Sequence, residues 1–372
     1  MNSRTLFAQT MSHKKSDTVP IDIGATTLTS MSKNCEAALC DFLGFKHQPK
    51  QDNNRTDERI LQWAGTDFRA VGNIVELPSK HSRKISETEY VDCWGIQQKL
   101  VDHQWQIVNS PLRNATREDI KSYPWPKPVI DEKLMAKWLQ QARKLKEENK
   151  YVVIAEHPYY GILELGMWLC GYDSFLMNLA LNTDLVKTFF EIITNLQLKV
   201  AEQYYSELGP YIDLTTSGDD FGTQRAPMMS PKMFEELISP FFTERIARTK
   251  ELGQCYYWHH SCGSVYDLLD SLIKCGVDIL NPVQLSADNM EPEKLKATFG
   301  DKIVFWGGVD VQQFLPNAKP QQVKEHVDYL IKTLGKDGGY VIAGAHNMQD
   351  DIPPENIAAL VEAARGNSNR TW

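Results

Sequence analysis

A histidine and a cysteine, His260 and Cys262, stand two positions apart directly after a run of bulky residues. The run, Cys-Tyr-Tyr-Trp at residues 255–258, is typical of a short buried strand. Alternate side chains of an extended chain point to the same side, so an imidazole and a thiolate can face one site together. Zinc binds both donors, and catalytic zinc sites combine three protein ligands with one open position. In the simpler interpretation, the two side chains only close the strand end through hydrogen bonds.

A third metal ligand would have to come from the end of another strand. His346 follows the apolar run at residues 340–343 and is the best placed candidate. The sequence therefore predicts a metal site made of His260, Cys262 and His346. His259 points to the opposite side of its strand, and we expect it to pack against a helix.

Polar and charged residues follow six successive predicted strands, each with glycine or proline nearby. In barrel enzymes the active site lies at the carboxyl ends of the strands. A purely structural protein has no reason to repeat this pattern, so the pattern indicates an enzyme. The six predicted strands are residues 151–155, 211–215, 255–258, 277–280, 303–306 and 340–343.

Two carboxylates at these strand ends, Asp220 and Glu156, are candidates for acid–base catalysis. Asp219 and Asp220 can act as an acid–base pair or bind a cationic group, and they can equally form an Asx turn or a helix cap. Asp310 can bind substrate, and it can equally cap the helix that begins near residue 311. The candidate substrate-binding residues are Asp219, Tyr159, Gln284, Asp310 and Asn347.

Strands and helices alternate from residue 130 onward, which implies a parallel sheet covered by helices. Two further strands, at residues 19–23 and at residues 68–71 or 91–94, bring the count to eight. This count favours an α/β fold of the (β/α)8 TIM-barrel type over an open doubly wound sheet. No GxGxxG sequence opens a helix, which also argues against a dinucleotide-binding fold.

The chain is predicted to consist of an N-terminal extension and a barrel that together form one structural unit. Residues 1–75 make up the extension, with helices and the first strand region, and residues 76–372 make up the barrel. The polar segment at residues 73–88 is predicted to be a loop.

The composition excludes several classes of protein. The 372 residues carry a net charge of −8 and show no basic stripe, which excludes nucleic acid as a partner. The seven cysteines are odd in number and form no CxxC pair, which indicates a reducing compartment. No apolar run resembles a signal peptide or approaches the roughly 18 residues of a membrane span. We therefore expect no membrane partner and a cytoplasmic location.

Several segments resemble the uroporphyrinogen decarboxylase superfamily, and within it the branch of corrinoid-linked methyltransferases. They are SGDDFGTQ, YWHHSCGS, NPVQ, FWGGVD and GAHNMQDD. The resemblance covers nearly the whole chain and implies a (β/α)8 barrel. The methyltransferase branch binds zinc through HxC and a later cysteine. The HxC matches His260-Ser261-Cys262, whereas His346 stands at or next to the place of the later cysteine.

The resemblance implies methyl transfer between a small methylated compound, or a thiol, and cobalamin. Zinc would lower the pKa of a bound thiol or polarise the methyl donor. Asp220 or Glu156 would position or protonate the leaving group. Because the chain has no DxHxxG corrinoid-binding sequence, the cobalamin is expected on a separate corrinoid protein that docks at the barrel mouth. A homodimer is also compatible with the sequence.

Two alternatives remain open from the sequence. The first is decarboxylation of a porphyrinogen or a smaller acid, with Asp220 stabilising a protonated pyrrole-like ring. The haem-branch decarboxylases carry an N-terminal run of the type PxWxMRQAGR, whose arginines hold the acidic arms of the substrate, and this sequence has no such run. The second alternative is a barrel without catalytic activity that binds a small ligand or a partner protein.

Overall fold

The computed structural model describes residues 2–46, 55–101 and 104–366. Within these residues, eight parallel strands form one sheet that curves into a nearly closed barrel covered by helices. The predicted (β/α)8 TIM barrel is therefore confirmed. The barrel strands are β1 (Ile21–Asp22), β2 (Phe68–Val71), β7 (Val152–Ala155), β8 (Leu214–Gly218), β9 (Tyr256–His260), β10 (Ile279–Val283), β11 (Val304–Val309) and β12 (Tyr340–Gly344). Their order in the sheet is β1-β12-β11-β10-β9-β8-β7-β2.

The barrel closes between β1 and β2 through a few hydrogen bonds of backbone and side chains rather than through a strand ladder. The Ile21 amide donates to the Asp67 carboxylate at 2.8 Å, and the Asp67 amide donates to the Ile21 carbonyl at 2.9 Å. The Thr66 hydroxyl accepts from the Ile23 amide at 3.3 Å. The first two barrel strands thus belong to residues 1–75. The division of the chain at residue 75 stays a prediction.

The helices follow the strands in the order that the sequence predicts. The long apolar and amphipathic patterns become helices whose bounds differ by a few residues from the predicted ones. No helix in the described part of the chain is long and apolar enough to cross a membrane. The helices are α1 (Ser3–Met11), α2 (Lys33–Phe42), α3 (Glu58–Ala64), α4 (Arg117–Ser122), α5 (Glu132–Glu148), α6 (Ile162–Cys170), α7 (Tyr172–Leu181), α8 (Thr183–Leu208), α9 (Pro231–Met233), α10 (Ser239–Gly253), α11 (Leu269–Cys275), α12 (Pro292–Phe299), α13 (Phe314–Asn317), α14 (Pro320–Leu334) and α15 (Pro354–Gly366).

A second, antiparallel sheet lies between β2 and α4 in the sequence and was not predicted. Its strands, in sheet order, are β3 (Arg83–Ser86), β4 (Glu89–Val91), β5 (Gln97–Val101) and β6 (Gln104–Asn109). The loop predicted at residues 73–88 therefore contains a strand. Residues 91–94 do not supply a barrel strand, because β4 ends at Val91 and pairs with β3 and β5. Every residue of β3 is exposed, so no alternation of apolar residues revealed it.

The amino end of the barrel is closed by the first helix. Phe7 of α1 packs edge-to-face on Phe68 inside the barrel, with ring centroids 5.6 Å apart. Arg4 of the same helix donates to the Asp213 carboxylate at 2.8 Å, just before β8. Beyond this helix, the rings of Trp258 and Trp306 stack within the apolar interior, with their centroids 4.7 Å apart. The closed end and the filled interior leave the carboxyl end of the strands as the place for a site.

Candidate active site

Three residues that the sequence selected as metal ligands, here called the triad, meet at the barrel mouth, where the strands have their carboxyl ends. His260 is the last residue of β9, Cys262 follows it, and His346 follows β12. One ligand atom from each of the three lies within 4.8 Å of the others. Cys262 Sγ is 3.4 Å from His260 Nε2, and the two imidazole centroids are 5.4 Å apart. Two imidazoles and one thiol in this arrangement form a donor set that zinc accepts.

Asn281 on the neighbouring strand β10 orients His260. The two residues are register partners, and Asn281 Oδ1 is 2.6 Å from His260 Nδ1. Asn281 Nδ2 donates to the Trp306 carbonyl at 3.2 Å, which leaves its oxygen to face the imidazole. His260 Nδ1 therefore carries the proton, and the lone pair of Nε2 faces Cys262. Metal-binding histidines are commonly fixed by a partner of this kind, so the residues present fit a zinc ion.

Replacing Asn281 with leucine, which is similar in size, is expected to weaken zinc binding by about 10–100-fold. The leucine cannot accept the proton of Nδ1, so the tautomer and the ring orientation of His260 are no longer fixed. A competition titration against a chromophoric chelator measures the affinity. Asn281→Asp is the matched control, because a carboxylate oxygen can still accept this proton. An Asn281→Leu protein with unchanged zinc affinity would contradict the positioning role.

Two of the predicted site residues hold the loop that carries Cys262. Asp220 accepts a hydrogen bond from the Cys262 amide at 2.7 Å, and Gln284 accepts one from the Gly263 amide at 2.7 Å. Gly263 has a φ of +84°, and a Cβ there would lie 2.6 Å from the Thr223 carbonyl. Only glycine therefore fits this turn. The roles predicted for Asp220 and Gln284 in catalysis and substrate binding stay predictions.

The shifted pKa values of two candidate ligands, His346 and Cys262, act on metal binding at neutral pH in opposite directions. Burial, and next the charge of His260, lowers the pKa of His346 to about 4. Burial, and then the charges of Asp220 and Glu164, raises the pKa of the Cys262 thiol. His346 is thus neutral and has a free lone pair, whereas Cys262 keeps its proton until a metal ion displaces it.

Asp219 connects the site to helix α6. Its Oδ2 accepts from the Leu163 amide at 3.0 Å and its Oδ1 from the Glu164 amide at 2.9 Å. Burial raises the pKa of Asp219 to about 6. Both oxygens of this fully buried carboxyl group are therefore used to cap the start of α6. Binding of substrate by Asp219 stays a prediction.

Glu164 is a carboxyl group of the site that the sequence analysis did not select. Burial raises the pKa of Glu164 well above the usual range, and the charges of Asp219 and Asp220 raise it further. It is the one charged residue in the otherwise apolar helix Ile162–Cys170. This isolation could have identified Glu164 from the sequence, because a lone carboxylate in a buried helix needs a partner or a function.

Glu156 lies at the mouth but on the side of β1 and β2. Its Oε1 accepts from the amide and the hydroxyl of Thr27 at 2.6 Å each. Its Oε2 accepts from Arg55 at 3.0 Å. The side chain is 2% exposed. The carboxylate is thus already engaged by protein donors, and its predicted catalytic role has no direct support from these contacts.

The three remaining residues that the sequence predicts to bind substrate have different contacts. Asp310 accepts through one oxygen from the amides of Gln312 and Gln313 at 3.0 and 2.6 Å, so it caps the start of the following helix. Tyr159 is buried against α10, with its hydroxyl 3.4 Å from the Thr249 hydroxyl. Asn347, next to His346, has a buried Oδ1 without a hydrogen-bond partner among the described residues. Such an acceptor is suited to a ligand that donates a hydrogen bond.

The two other histidines near the triad are structural in their contacts. The ring of His259 packs between two phenylalanine rings. Its centroid is 5.3 Å from that of Phe221 and 4.8 Å from that of Phe242, which belongs to α10. The predicted packing of His259 against a helix is therefore confirmed. His157 bonds the Thr216 hydroxyl at 2.8 Å, and burial lowers its pKa to about 3.

Comparisons with known proteins agree with this architecture. Uroporphyrinogen decarboxylase of Wolinella succinogenes is 33% identical over 95 residues, which are 26% of this chain and 24% of that protein. Uroporphyrinogen decarboxylase of Helicobacter hepaticus is 28% identical over 106 residues, which are 27% of this chain and 28% of that protein. The chain thus aligns with about a quarter of the length of these curated relatives.

The likeness in three dimensions extends much further. A methyltransferase from Methanosarcina mazei covers 98% of this chain with 99% of its own, at a TM-score of 0.66 and 14% identity. At this identity the likeness shows the fold alone. The family model for uroporphyrinogen decarboxylase (URO-D) matches residues 94–366. Because that match spans more than half of the chain and agrees with the resemblance of its motifs, the chain belongs to the uroporphyrinogen decarboxylase (URO-D) family.

Proposed function

We propose that this protein is a methyltransferase that moves a methyl group between a small methylated compound, or a thiol, and cobalamin. The observation that carries this proposal is the group of His260, Cys262 and His346, whose donor atoms lie within 4.8 Å of one another. A nitrogen and sulfur donor set at a barrel mouth serves methyl transfer to or from a thiol and has no evident use in decarboxylation. The whole-chain likeness in fold to a protein described as a methyltransferase supports the proposal.

The triad would hold zinc, which supplies a Lewis acid for a thiolate or a methyl donor when bound. The residues of this chain do the rest. Asn281 keeps Nε2 of His260 unprotonated, and Asp220 holds the amide of Cys262. Glu164 lies close enough to Asp220 for their charges to interact. In this proposal Asp220 and Glu164, rather than Glu156, hold or release the proton of the leaving group.

The cobalamin is proposed to arrive on a separate corrinoid protein. The amino end of the barrel is closed by α1, so a macrocycle can approach the triad only from the mouth. The partner protein would therefore dock over the carboxyl ends of the strands.

Methylcobalamin and 2-mercaptoethanol can stand in for the corrinoid protein and the thiol. The protein with one equivalent of zinc is expected to methylate the thiol, and the metal-free protein is not. Mass spectrometry of the thioether product measures the transfer under anaerobic conditions. If the zinc-loaded protein transfers no methyl group to this thiol, from methylcobalamin or from a methylated corrinoid protein, and none from a methylated compound to cob(I)alamin, the proposal is wrong.

Zinc affinity is expected to rise about tenfold per pH unit between pH 7 and 8.5, because binding releases one proton. That proton comes from the Cys262 thiol, whose raised pKa keeps it protonated throughout this range. His346 contributes no proton, since its pKa is lowered to about 4. Chelator competition at several pH values gives the slope. The Cys262→Ser variant should lose the pH dependence of zinc affinity. A tenfold rise per pH unit means one released proton, so a hundredfold rise per unit in the parent protein would contradict the prediction.

Decarboxylation of a porphyrinogen is the second candidate, favoured by the names of the curated relatives. The sequence argues against it, because it has no arginine-containing run of the PxWxMRQAGR type to hold the acidic arms of the substrate. At the mouth, Glu164 stands close to Asp219 and Asp220, whose charges add to burial in raising its pKa. These carboxyl groups do not supply the cations that a substrate with many carboxylates needs. Formation of coproporphyrinogen from uroporphyrinogen by the purified protein would support this candidate.

A further inference from the structure

A strip of one carboxyl group and three aromatic rings runs along the rim of the barrel mouth. Helix α6 has nine residues, of which seven are buried. The other two, Glu164 and Trp168, are partly exposed. They are four positions apart and so lie on one face of the helix. Tyr172, four positions further on, begins α7 and is 52% exposed. This face is therefore the one side of α6 that a small molecule can reach.

The aromatic residues of this strip are held together by direct contacts. Trp168 Nε1 donates to the Tyr172 hydroxyl at 2.9 Å. Tyr160, at the end of the loop after β7, packs on Trp168 with centroids 4.9 Å apart and ring planes at 74°. Tyr160 is also partly exposed. Three rings that are fixed to one another and incompletely covered give a rigid aromatic wall.

Two carboxyl groups lie at the foot of this wall, and a cation bound there would favour their ionised forms. Glu164 stands one helical turn below Trp168, beside Asp220, which in turn holds the amide of Cys262. The charges of both carboxyl groups reach the hydroxyl of Tyr172 and add to burial in raising its pKa. The guanidinium of Arg113, which lies beside Gly171, is paired with Asp173 at 2.7 Å. The wall can thus attract a cation from solution.

Aromatic faces attract cations through their quadrupole, and they recognise methylated ammonium groups in particular, since these offer few or no N–H donors. A carboxylate beside the rings adds Coulombic attraction without requiring a hydrogen bond. We infer that the small methylated compound bound at this mouth is a cation with N-methyl groups, held between Tyr160, Trp168 and Tyr172 and the carboxylates of Glu164 and Asp220. This inference rests on the proposed function, because it names the class of the methylated compound.

Two probes of equal shape test whether the site prefers a positively charged ligand. Choline carries a trimethylammonium group, and 3,3-dimethyl-1-butanol is its neutral counterpart with carbon in place of nitrogen. Titration calorimetry at low ionic strength is expected to show choline binding at least about tenfold more tightly. The anion 3,3-dimethylbutyrate should bind most weakly of the three. Equal affinities for choline and the neutral alcohol, or tighter binding of the anion, would overturn the inference.

Variants locate the site on the strip. Trp168→Leu and Glu164→Gln are each expected to lower choline affinity by about tenfold, while the affinity for the neutral alcohol changes little. Trp105→Leu is the matched control, because Trp105 is 46% exposed on the antiparallel sheet. Equal loss in the control variant would contradict the assignment. Circular dichroism of each variant shows whether the fold is retained, and Trp168→Phe, which keeps a ring, should retain most of the choline affinity.

The binding test needs neither zinc nor a corrinoid, so its result is separable from that of the methyl-transfer test. Methyl transfer to a thiol without preference for choline would leave the proposed function standing and refute the cationic substrate. A choline preference without any methyl transfer would refute the proposed function and leave a cation-binding site.

Discussion

The protein with His260 and Cys262 both replaced by alanine is expected to retain less than about a tenth of the zinc bound by the parent protein. The parent should hold about one ion per chain, because its three donor atoms lie within 4.8 Å of one another. Removal of two of three ligands leaves only His346, which is too few for a structural or catalytic site. Elemental analysis of the purified proteins gives the metal content. Methyl transfer should fall by more than about 100-fold in the same variant.

His13→Ala is a matched control for the loss of an imidazole. His13 bonds the Gly300 carbonyl at 2.9 Å, near the amino end of the barrel, so its removal should leave the zinc content unchanged. Zinc retained by the double variant, or lost from the control, would show that the ion binds elsewhere.

The third ligand can be tested separately, since His346 stands at or next to the place of the later cysteine that the resemblance to the methyltransferase branch implies. His346→Cys is expected to retain about one zinc ion, because a thiolate at that position restores a common ligand set. His346→Ala should lose most of it. If both variants retain zinc equally, His346 is not a ligand.

The meeting of His260, Cys262 and His346 at the barrel mouth was predictable from the sequence because it depends on short-range periodicity. His260 and Cys262 share a side through the alternation of an extended chain, and His346 was found by the rule that barrel strands end on one side. The barrel itself followed from apolar runs that alternate with helical patterns along the chain. These are local patterns that tertiary contacts reinforce rather than override.

The partners of the carboxylates were not predictable, because they lie far away in the sequence. Thr27 is separated from Glu156 by 129 positions, and Arg55 by 101. Asp219 caps a helix that begins 57 positions before it, counted from Ile162. No spacing rule connects such residues. The sequence therefore finds a buried carboxylate but does not show whether it serves structure or chemistry.

Arg55→Met is expected to destabilise the protein by about 3 kcal/mol, because it removes the cation from a buried ion pair. Arg55 lies 3.0 Å from Glu156, whose side chain is 2% exposed. Arg55 itself is 21% exposed, which places the loss near the lower end of the range for such pairs. It also donates to the carbonyls of Ala70 and Gly72, along the edge of β2 that no barrel strand covers. Methionine supplies none of these donors.

Urea unfolding followed by circular dichroism measures the change. The double variant Arg55→Met, Glu156→Gln should recover at least about 1 kcal/mol of the loss, because it carries no unpaired buried charge. The glutamine oxygen can still accept from the amide and hydroxyl of Thr27. A loss below about 1 kcal/mol in Arg55→Met, or a double variant less stable than the single one, would contradict a structural ion pair.

The same variants decide between the two roles of Glu156. If the carboxylate only closes the barrel beside β1 and β2, Glu156→Gln retains zinc and keeps methyl transfer within about threefold of the parent, since no step requires its proton. If it is the acid or base that its place after a buried strand suggested, the rate falls by about 100-fold or more while stability is little changed. The contacts with Thr27 and Arg55 lead us to expect the first result, because a carboxylate with both oxygens bound by protein donors is poorly placed to exchange a proton with a substrate.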